Sequence, residues 1–152
     1  MSTHTIRRAK PTDIPELVTI GLEAATAAHW PESEYERIFE TGSVPRVALV
    51  ADSGGQVVGF IVARCIEKEW ELENVVVRQE FRRRGLGRLL IQHLLQLARA
   101  DCAARIFLEV RESNESARKL YSQLGFRETG HRSGYYSHPV EDAVTYEIVI
   151  RM

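Results

Sequence analysis

The sequence predicts a mixed α/β sheet flanked by helices, and two observations lead to that fold class. First, a strand over residues 70–77, a glycine-containing loop, a helix over 86–100 and a strand over 105–111 form one strand–helix–strand unit. Such a unit places its two strands parallel, with a right-handed crossover. Second, an Asp-Ser-Gly-Gly turn joins strands over 47–51 and 56–63, which favours an antiparallel hairpin.

The other elements follow from apolar spacing and from residues that begin or end helices. Asp13 is the predicted N-cap of a first helix, whose apolar face is Ile14, Leu17, Val18, Leu22 and Ala25. Gly125 fits the left-handed position that ends a helix over residues 114–124. The set is completed by a strand over 5–8, a helix over 33–41 and closing strands over 126–130 and 144–150.

Length and composition favour one domain over residues 1–152, because 152 residues with 44% hydrophobic content suit a single core. Twenty basic against 21 acidic residues give a net charge of -1, so we expect neither a membrane partner nor stable nucleic-acid binding. The N-terminus has no apolar signal segment, and Cys65 and Cys102 suit a reducing compartment. We therefore expect a cytoplasmic protein, and its oligomeric state stays open.

A glycine- and arginine-rich loop between the strand over 70–77 and the helix over 86–100 is the strongest chemical signal. A helix N-terminus leaves about four backbone N–H groups unpaired and carries the positive end of the helix dipole, so it binds anions. Glycines let the backbone approach a ligand closely. We interpret the loop as a phosphate site, with a solvated basic turn or an RNA contact as the alternative. Its residues are Arg82, Arg83, Arg84, Gly85, Leu86, Gly87 and Arg88.

The pattern Arg82-x-x-Gly85-x-Gly87 resembles the Gln/Arg-x-x-Gly-x-Gly/Ala pyrophosphate loop of the GNAT superfamily of N-acetyltransferases. Residues 72–143 are similar to the bacterial ribosomal-protein-alanine N-acetyltransferase branch. This resemblance implies the GNAT fold with a splayed parallel strand pair, acetyl-CoA as cosubstrate, no metal, and a protein N-terminus as acceptor. The matching segments are Leu72-Glu73-Asn74-Val75-Val76-Val77, Leu108-Glu109-Val110-Arg111, Ser113-Asn114, Leu120-Tyr121, Leu124-Gly125-Phe126, Tyr135-Tyr136 and Glu141-Asp142-Ala143.

The resemblance also implies which residues bind the cosubstrate. The backbone of Val75, Val76 and Val77 would pair with the pantetheine arm between the splayed strands, and residues 82–88 would bind the pyrophosphate. Asn114 would contact the cosubstrate, although it is equally well placed as a helix N-cap. The three valines also fit an ordinary buried strand, and both interpretations are compatible.

Glu109 is the candidate general base. It lies in an otherwise apolar strand, on the face opposite Ile106 and Leu108, where a carboxylate requires a partner or a function. A salt bridge with a nearby arginine is the alternative. Glu71 is the rival base, and Glu73, on the same face as Glu71, is a candidate to bind the substrate amine.

Three tyrosines complete the candidate site. By resemblance, Tyr121 is the general acid that protonates the departing thiolate, although its position on an apolar helix face is typical of a core residue. Tyr135 and Tyr136 would border the peptide groove, or they are surface aromatics of a β-hairpin.

The loosest part of the resemblance is His29-Trp30-Pro31, in a region that shapes the acceptor site of the family. This departure keeps open an acetyltransferase for a small amine, such as a polyamine or an aminoglycoside. A non-catalytic acetyl-CoA-binding or RNA-binding module is the third hypothesis, against which the near-neutral composition counts.

Overall fold

The computed structural model describes residues 4–24 and 29–150, and seven strands within them form one mixed sheet. The strands are β1 (His4–Arg8), β2 (Arg46–Ser53), β3 (Gln56–Ile66), β4 (Glu69–Val77), β5 (Arg105–Arg111), β6 (Arg127–Ser137) and β7 (Val140–Val149). Their order is β1-β2-β3-β4-β5-β7-β6. The pair β4–β5 is parallel and the other neighbouring pairs are antiparallel, as the sequence predicts.

Four α-helices cover the two faces of the sheet: α1 (Ile14–Glu23), α2 (Glu32–Arg37), α3 (Leu86–Ala100) and α4 (Glu115–Gln123). Apolar residues of α3 and α4 pack with one face, around Trp70 and Leu108, and those of α1 and α2 pack with the other, around Phe60 and Val62. No helix of the described ranges has the length and apolarity that a membrane crossing requires.

A β-bulge in β4 redirects its side chains beside the site. Val62 of β3 pairs with Asn74 and Ala63 pairs with Leu72, so Glu73 is an extra residue in β4. An extra residue reverses the alternation of a strand. Leu72 therefore packs with the core under α3 and α4, whereas Val76 packs with the core under α1 and α2.

The parallel pair opens along its length, which confirms the predicted splay. Register between β4 and β5 is limited to Glu69 with Arg105, Trp70 with Ile106 and Glu71 with Phe107. Beyond that point β5 remains paired with β7 through Arg111 and Ala143, and β4 remains paired with β3 through Val77 and Gly59. The sheet thus continues on both sides of a wedge-shaped gap.

Several predicted boundaries are wrong. The hairpin of β6 and β7 is longer than the predicted strands over 126–130 and 144–150. Its additional residues are polar and aromatic without regular alternation, so the sequence pattern did not indicate that they form strands. Helix α2 ends at Arg37 rather than at residue 41. In α1, Leu22 is 64% exposed and does not join the apolar face. Ala25 lies outside the described residues.

Asp13 holds the predicted position before α1, but its carboxylate does not cap that helix. It accepts hydrogen bonds from the guanidinium of Arg7 at 2.9 and 3.0 Å and from the backbone N–H of Lys10 at 2.7 Å. The bond with Arg7 outweighs desolvation and lowers the pKa of Asp13. The side chain therefore fastens β1 to the start of α1.

Candidate active site

A cleft of about 830 Å³ opens where β4 and β5 separate. Its walls are formed by the separated strands β4 and β5, by the bulge at Glu73 and by the β6–β7 hairpin. The predicted site residues that line it are Glu73, Val75, Glu109, Asn114, Tyr121, Tyr135 and Tyr136. The other lining residues are His29, Leu72, Asn74, Val110, Arg111, Ala117, Ser137 and His138. Val76, Val77, Glu71 and residues 82–88 lie outside this lining.

The free edge of β4 faces the gap through alternate residues only. The N–H of Arg78 donates to the carbonyl of Val58 on β3 at 2.8 Å. Since backbone groups alternate sides along a strand, Val76 also points to β3, whereas Val75 and Val77 point into the gap. The predicted backbone contact with an extended ligand therefore fits Val75 and Val77, and Val76 serves as a core residue.

The glycine loop follows the open end of β4 and forms the N-terminus of α3. Gly85 is the N-cap residue with φ of +77°, and the first helical hydrogen bond runs from the N–H of Leu89 to the carbonyl of Gly85. The N–H groups of Leu86, Gly87 and Arg88 precede that first bond and so lack intrahelical acceptors. An anion is stabilised at such a position by these donors and by the helix dipole.

Arg82, Arg84 and Arg88 of the loop contact neighbouring protein groups. Arg82 Nε donates to the carbonyl of Val77 at 3.0 Å, and Arg88 Nη2 donates to Gln123 Oε1 at 2.7 Å. The Arg84 guanidinium lies 5.0 Å from the centre of the Phe81 ring. Each guanidinium has five N–H donors, so Arg82 and Arg88 keep others for a ligand. Their anchors place positive charge around the N-terminus of α3.

Glu109 lies in the cleft, on the opposite side of β5 from the buried Ile106 and Leu108. Its Oε1 is 3.4 Å from Arg132 Nη1, so the alternative of a salt bridge is also present. The Arg132 guanidinium is 59% exposed and lies over the Tyr135 ring at 5.3 Å. A hydrogen bond with Glu109, followed by burial, raises the pKa of Tyr135.

Glu71 and Glu73 are each paired with an arginine. Glu71 Oε1 is 2.5 Å from Arg64 Nη2, and Glu73 Oε1 is 2.8 Å from Arg46 Nε. Burial raises the pKa of Glu71 despite the opposing attraction of Arg64. A raised pKa suits a base, but Glu71 does not line the cleft, whereas Glu109 and Glu73 do. Geometry therefore favours Glu109 over Glu71 as the candidate base.

Tyr121 occupies a core position at the wall of the cleft. It is 5% exposed, and its ring packs against Phe126 and Tyr146 at centroid distances of 5.6 and 6.1 Å. It also lines the cleft. Burial raises its pKa, so Tyr121 carries its proton at neutral pH, as a proton donor must.

Asn114 is the N-cap of α4, as predicted. Its Oδ1 accepts a hydrogen bond from the N–H of Ala117 at 3.3 Å. The amide nitrogen is not needed for the cap, and the residue lines the cleft. Capping and contact with a ligand are therefore compatible.

Tyr135 and Tyr136 stand at the end of β6 with their rings edge-on at 5.1 Å. Tyr135 is 49% exposed, whereas Tyr136 is half-buried. Burial, supported by the charge of Glu109, raises the pKa of Tyr136 to about 12. Both hydroxyls are therefore protonated at neutral pH and available to donate hydrogen bonds in the groove.

The two cysteines lie away from the cleft. Cys65 faces a separate pocket beside Trp70, and burial raises its pKa to about 11. Cys102 is exposed just after α3. A thiol with a raised pKa is a poor nucleophile, so Cys65 does not suit that role.

One group of side chains has the donor types of a metal site. Glu112, His131 and Asp142 bring one ligand atom each within 4.8 Å of one another on the surface. His131 Nε2 lies 3.7 Å from Glu112 Oε2 and 3.5 Å from Asp142 Oδ2, an arrangement that a protonated histidine satisfies by itself. None of the three lines the cleft.

The sequence reasoning missed two arginines of the site. Arg132 contacts Glu109, and no local pattern around it indicates this, because its position depends on the β6–β7 hairpin. Arg111 lines the cleft at the end of β5. It directly follows Leu108-Glu109-Val110, so its place two residues after the candidate base was an available signal.

Comparison with known proteins agrees with this geometry. Residues 15–126 match the Acetyltransferase (GNAT) family. The chain belongs to this family. It is 32% identical over 151 residues to the ribosomal protein bS18-alanine N-acetyltransferase of Salmonella typhimurium, covering 98% of this chain and 99% of that protein.

Two further relatives are similar. The N-alpha-acetyltransferase RimI of Mycobacterium tuberculosis is 34% identical over 120 residues, which cover 76% of this chain and 73% of that protein. The crystal structure of the Escherichia coli ribosomal-protein-S18-alanine N-acetyltransferase superposes with a TM-score of 0.89 at 31% identity, covering 99% of this chain and 96% of that one. The predicted family and fold are thereby confirmed.

Proposed function

We propose that this protein transfers the acetyl group of acetyl-CoA to the N-terminal α-amine of a protein whose first residue is alanine, as in ribosomal protein bS18. The observation that carries this proposal is the cleft between β4 and β5, whose wall is lined by Glu109, Tyr121 and the hairpin tyrosines. The loop that follows the open end of β4 leads into the N-terminus of α3, which suits an anion. The similarity to the ribosomal protein bS18-alanine N-acetyltransferase of Salmonella typhimurium supports the acceptor.

The residues around the gap fit acetyl-CoA. The free N–H groups at the start of α3 suit a pyrophosphate, and the inward backbone groups of Val75 and Val77 suit the amides of an extended pantetheine arm. The amide nitrogen of Asn114 supplies a further donor. Arg82 and Arg88 add positive charge around the pyrophosphate.

Direct transfer requires three proton movements. Glu109 accepts a proton from the α-ammonium and passes it to solvent, and the neutral amine nitrogen forms a bond with the acetyl carbon as the carbon–sulfur bond breaks. Tyr121 donates its proton to the departing thiolate, and the second proton, which the acylated nitrogen loses, restores the Tyr121 hydroxyl through solvent. A free α-amine has a pKa near 7.7–8.0 against 10.4 for lysine, so a modest base suffices for the N-terminus.

Arg132 has a defined place in this scheme. Its positive charge balances the negative charge of Glu109 while no acceptor is bound. Because the Arg132 side chain is 59% exposed, an acceptor can displace it into solvent. The positively charged α-ammonium then takes its position beside the carboxylate. This exchange preserves one cation next to Glu109 throughout binding.

The test is release of coenzyme A from acetyl-CoA with a panel of acceptors. An alanine-started peptide of bS18 should be acetylated, and the same peptide with a blocked N-terminus should not. A blocked peptide that contains lysine and a set of polyamines complete the panel. Release only with polyamines would replace the proposal by small-amine transfer, and no release with any acceptor would favour a binding module.

A further inference from the structure

Arg111, the last residue of β5, is engaged by the β6–β7 hairpin through four contacts. Its Nη1 donates to the carbonyl of Pro139 at 3.2 Å and to Glu141 Oε1 at 3.3 Å. Its Nη2 donates to the carbonyl of His138 at 3.2 Å. Its guanidinium also lies over the Tyr136 ring, 4.3 Å from the centre.

The strand ladder holds the end of the hairpin by few pairs. The register between β6 and β7 is irregular between Arg132 and Tyr136, and pairing then resumes with Tyr136 opposite Glu141 and Ser137 opposite Val140. Residues 135–138 line the cleft. The contacts of Arg111 therefore add to two residue pairs in holding the Tyr136 ring in the groove.

Glu141 extends the connection to the cosubstrate side. One carboxylate oxygen accepts from Arg111, and the other accepts from the N–H of Ser113 at 2.6 Å. Ser113 directly precedes Asn114, the cap of α4. Arg111 and Glu141 are each 18% exposed, so solvent screens this pair less than it screens a fully exposed one.

We propose that Arg111 is a positioning residue for the acceptor side of the cleft. It holds the Tyr136 ring and the His138–Pro139 turn in place, and through Glu141 it ties them to the turn that carries Asn114. Planar geometry matters, because one guanidinium stacks on a ring and donates in two directions at once, which a lysine ammonium does not do. This role rests on the proposed function, since it concerns how the acceptor peptide is held.

The opposite end of β5 offers a matched control. Arg105 also pairs with two carboxylates, Glu69 and Glu147, and its guanidinium lies over the Phe107 ring at 5.3 Å. It does not line the cleft. Arg105 variants therefore report the stability lost with a similar ion pair and ring contact, without any effect on the groove.

The experiment compares Arg111→Met and Arg111→Lys with Arg105→Met and Arg105→Lys. We expect Arg111→Met to raise the KM for an alanine-started peptide about tenfold and to leave the KM for acetyl-CoA within about twofold. Arg111→Lys should recover only part of the loss, and both Arg105 variants should stay within about twofold of wild type for both substrates. Equal rises in the two KM values, or an equal effect of Arg105→Met, would overturn the role.

Hydrogen–deuterium exchange keeps this test separate from the proposed function. Residues 135–141 should exchange faster in Arg111→Met and at the wild-type rate in Arg105→Met. If the wild-type chain acetylates no N-terminus, the proposed function fails, while exchange still decides whether Arg111 positions the hairpin. Unchanged exchange in Arg111→Met would overturn the positioning role whatever the activity.

Discussion

The two ends of the β4–β5 pair both carry charged side chains, but the strands pair at one end and separate at the other. At the closed end, Glu69 to Glu71 pair with Arg105 to Phe107 as a regular parallel ladder, and the charged side chains form ion pairs on the surface. At the open end the ladder stops, the backbone of β4 faces a gap, and an acidic residue of β5 points into it.

This difference follows from where each strand finds its partners. A strand that leaves its neighbour must satisfy its backbone groups elsewhere. Here Val75 and Val77 keep one set of groups for the gap, with Arg82 Nε bonded to the carbonyl of Val77. Charge alone does not mark the site, since ion pairs occur at both ends. What marks it is a carboxylate beside the stretch of β4 that has separated from β5.

The largest expected effect is on activity, when the acidic residue at the open end, Glu109, is replaced. Glu109→Gln should lower kcat/KM for the peptide by about 10²- to 10⁴-fold, because a general base contributes on that order. Glu147→Gln is the matched control, since Glu147 also pairs with an arginine next to β5, at the closed end. It should remain within about twofold of wild type, as an exposed ion pair contributes little. Steady-state rates across pH measure both.

A Glu109→Gln variant with a nearly unchanged rate would transfer the role of base to another carboxylate. Glu71 is then the next candidate, because burial raises its pKa. Glu71→Gln under the same assay would decide between the two.

The next effect compares two buried tyrosines. Tyr121→Phe should lower kcat by about 10²-fold, the lower end of what a general acid contributes. The ring contacts with Phe126 and Tyr146 survive, so the melting temperature should change little. Tyr35→Phe is the control, because the buried Tyr35 hydroxyl has no hydrogen-bond partner among the described residues. Removing it should leave the rate unchanged and the stability equal or higher. Equal losses of rate in both variants would assign Tyr121 to the core alone.

Much of this arrangement could be predicted from local sequence. The parallel pair, the helix that begins at Leu86 and the cap at Asn114 follow from apolar spacing, a strand–loop–helix order and capping chemistry. The side of β5 on which Glu109 lies follows from simple alternation. The expectation of one domain over residues 1–152 stays a prediction, as do the roles of the site residues.

The rest depended on long-range contacts. The bulge at Glu73 is a mismatch in the pairing of β3 with β4, so the sequence of neither strand alone predicts it. It is the reason that the backbone groups of Val76 point to β3 and not into the gap. Arg132 reaches Glu109 only because β6 returns beside β7, and the hairpin itself was predicted too short. Asp13 has the sequence of a cap but bonds to Arg7, which lies on a different element.

A smaller effect is expected on the KM for acetyl-CoA, when a glycine of the loop before α3 is replaced. Gly85 has φ of +77°, so Gly85→Ala should cost about 1 kcal/mol of strain and displace the free N–H groups in the first turn of α3. We expect the KM for acetyl-CoA to rise about five- to tenfold, with the peptide KM nearly constant. Gly87→Ala is the control within the loop, because an added Cβ meets Leu120 at an ordinary 3.6 Å. A Gly87→Ala variant that loses as much as Gly85→Ala would show that ligand contact rather than backbone conformation requires glycine.

The smallest effect is a pH dependence of stability at Glu141. Hydrogen bonds from Ser113, and then from Arg111, lower its pKa below the ordinary 4.5. Its contribution is therefore present above pH 4.5 and is lost as the pH falls through the lowered pKa of the folded state. The melting temperature of Glu141→Gln should lie slightly below that of wild type at pH 7, and the two should converge as the pH is lowered below 4.5. A difference in melting temperature that persists at low pH would mean that the glutamine amide disturbs the Ser113 turn sterically. The carboxylate charge would then not be what ties the open end of β5 to the hairpin.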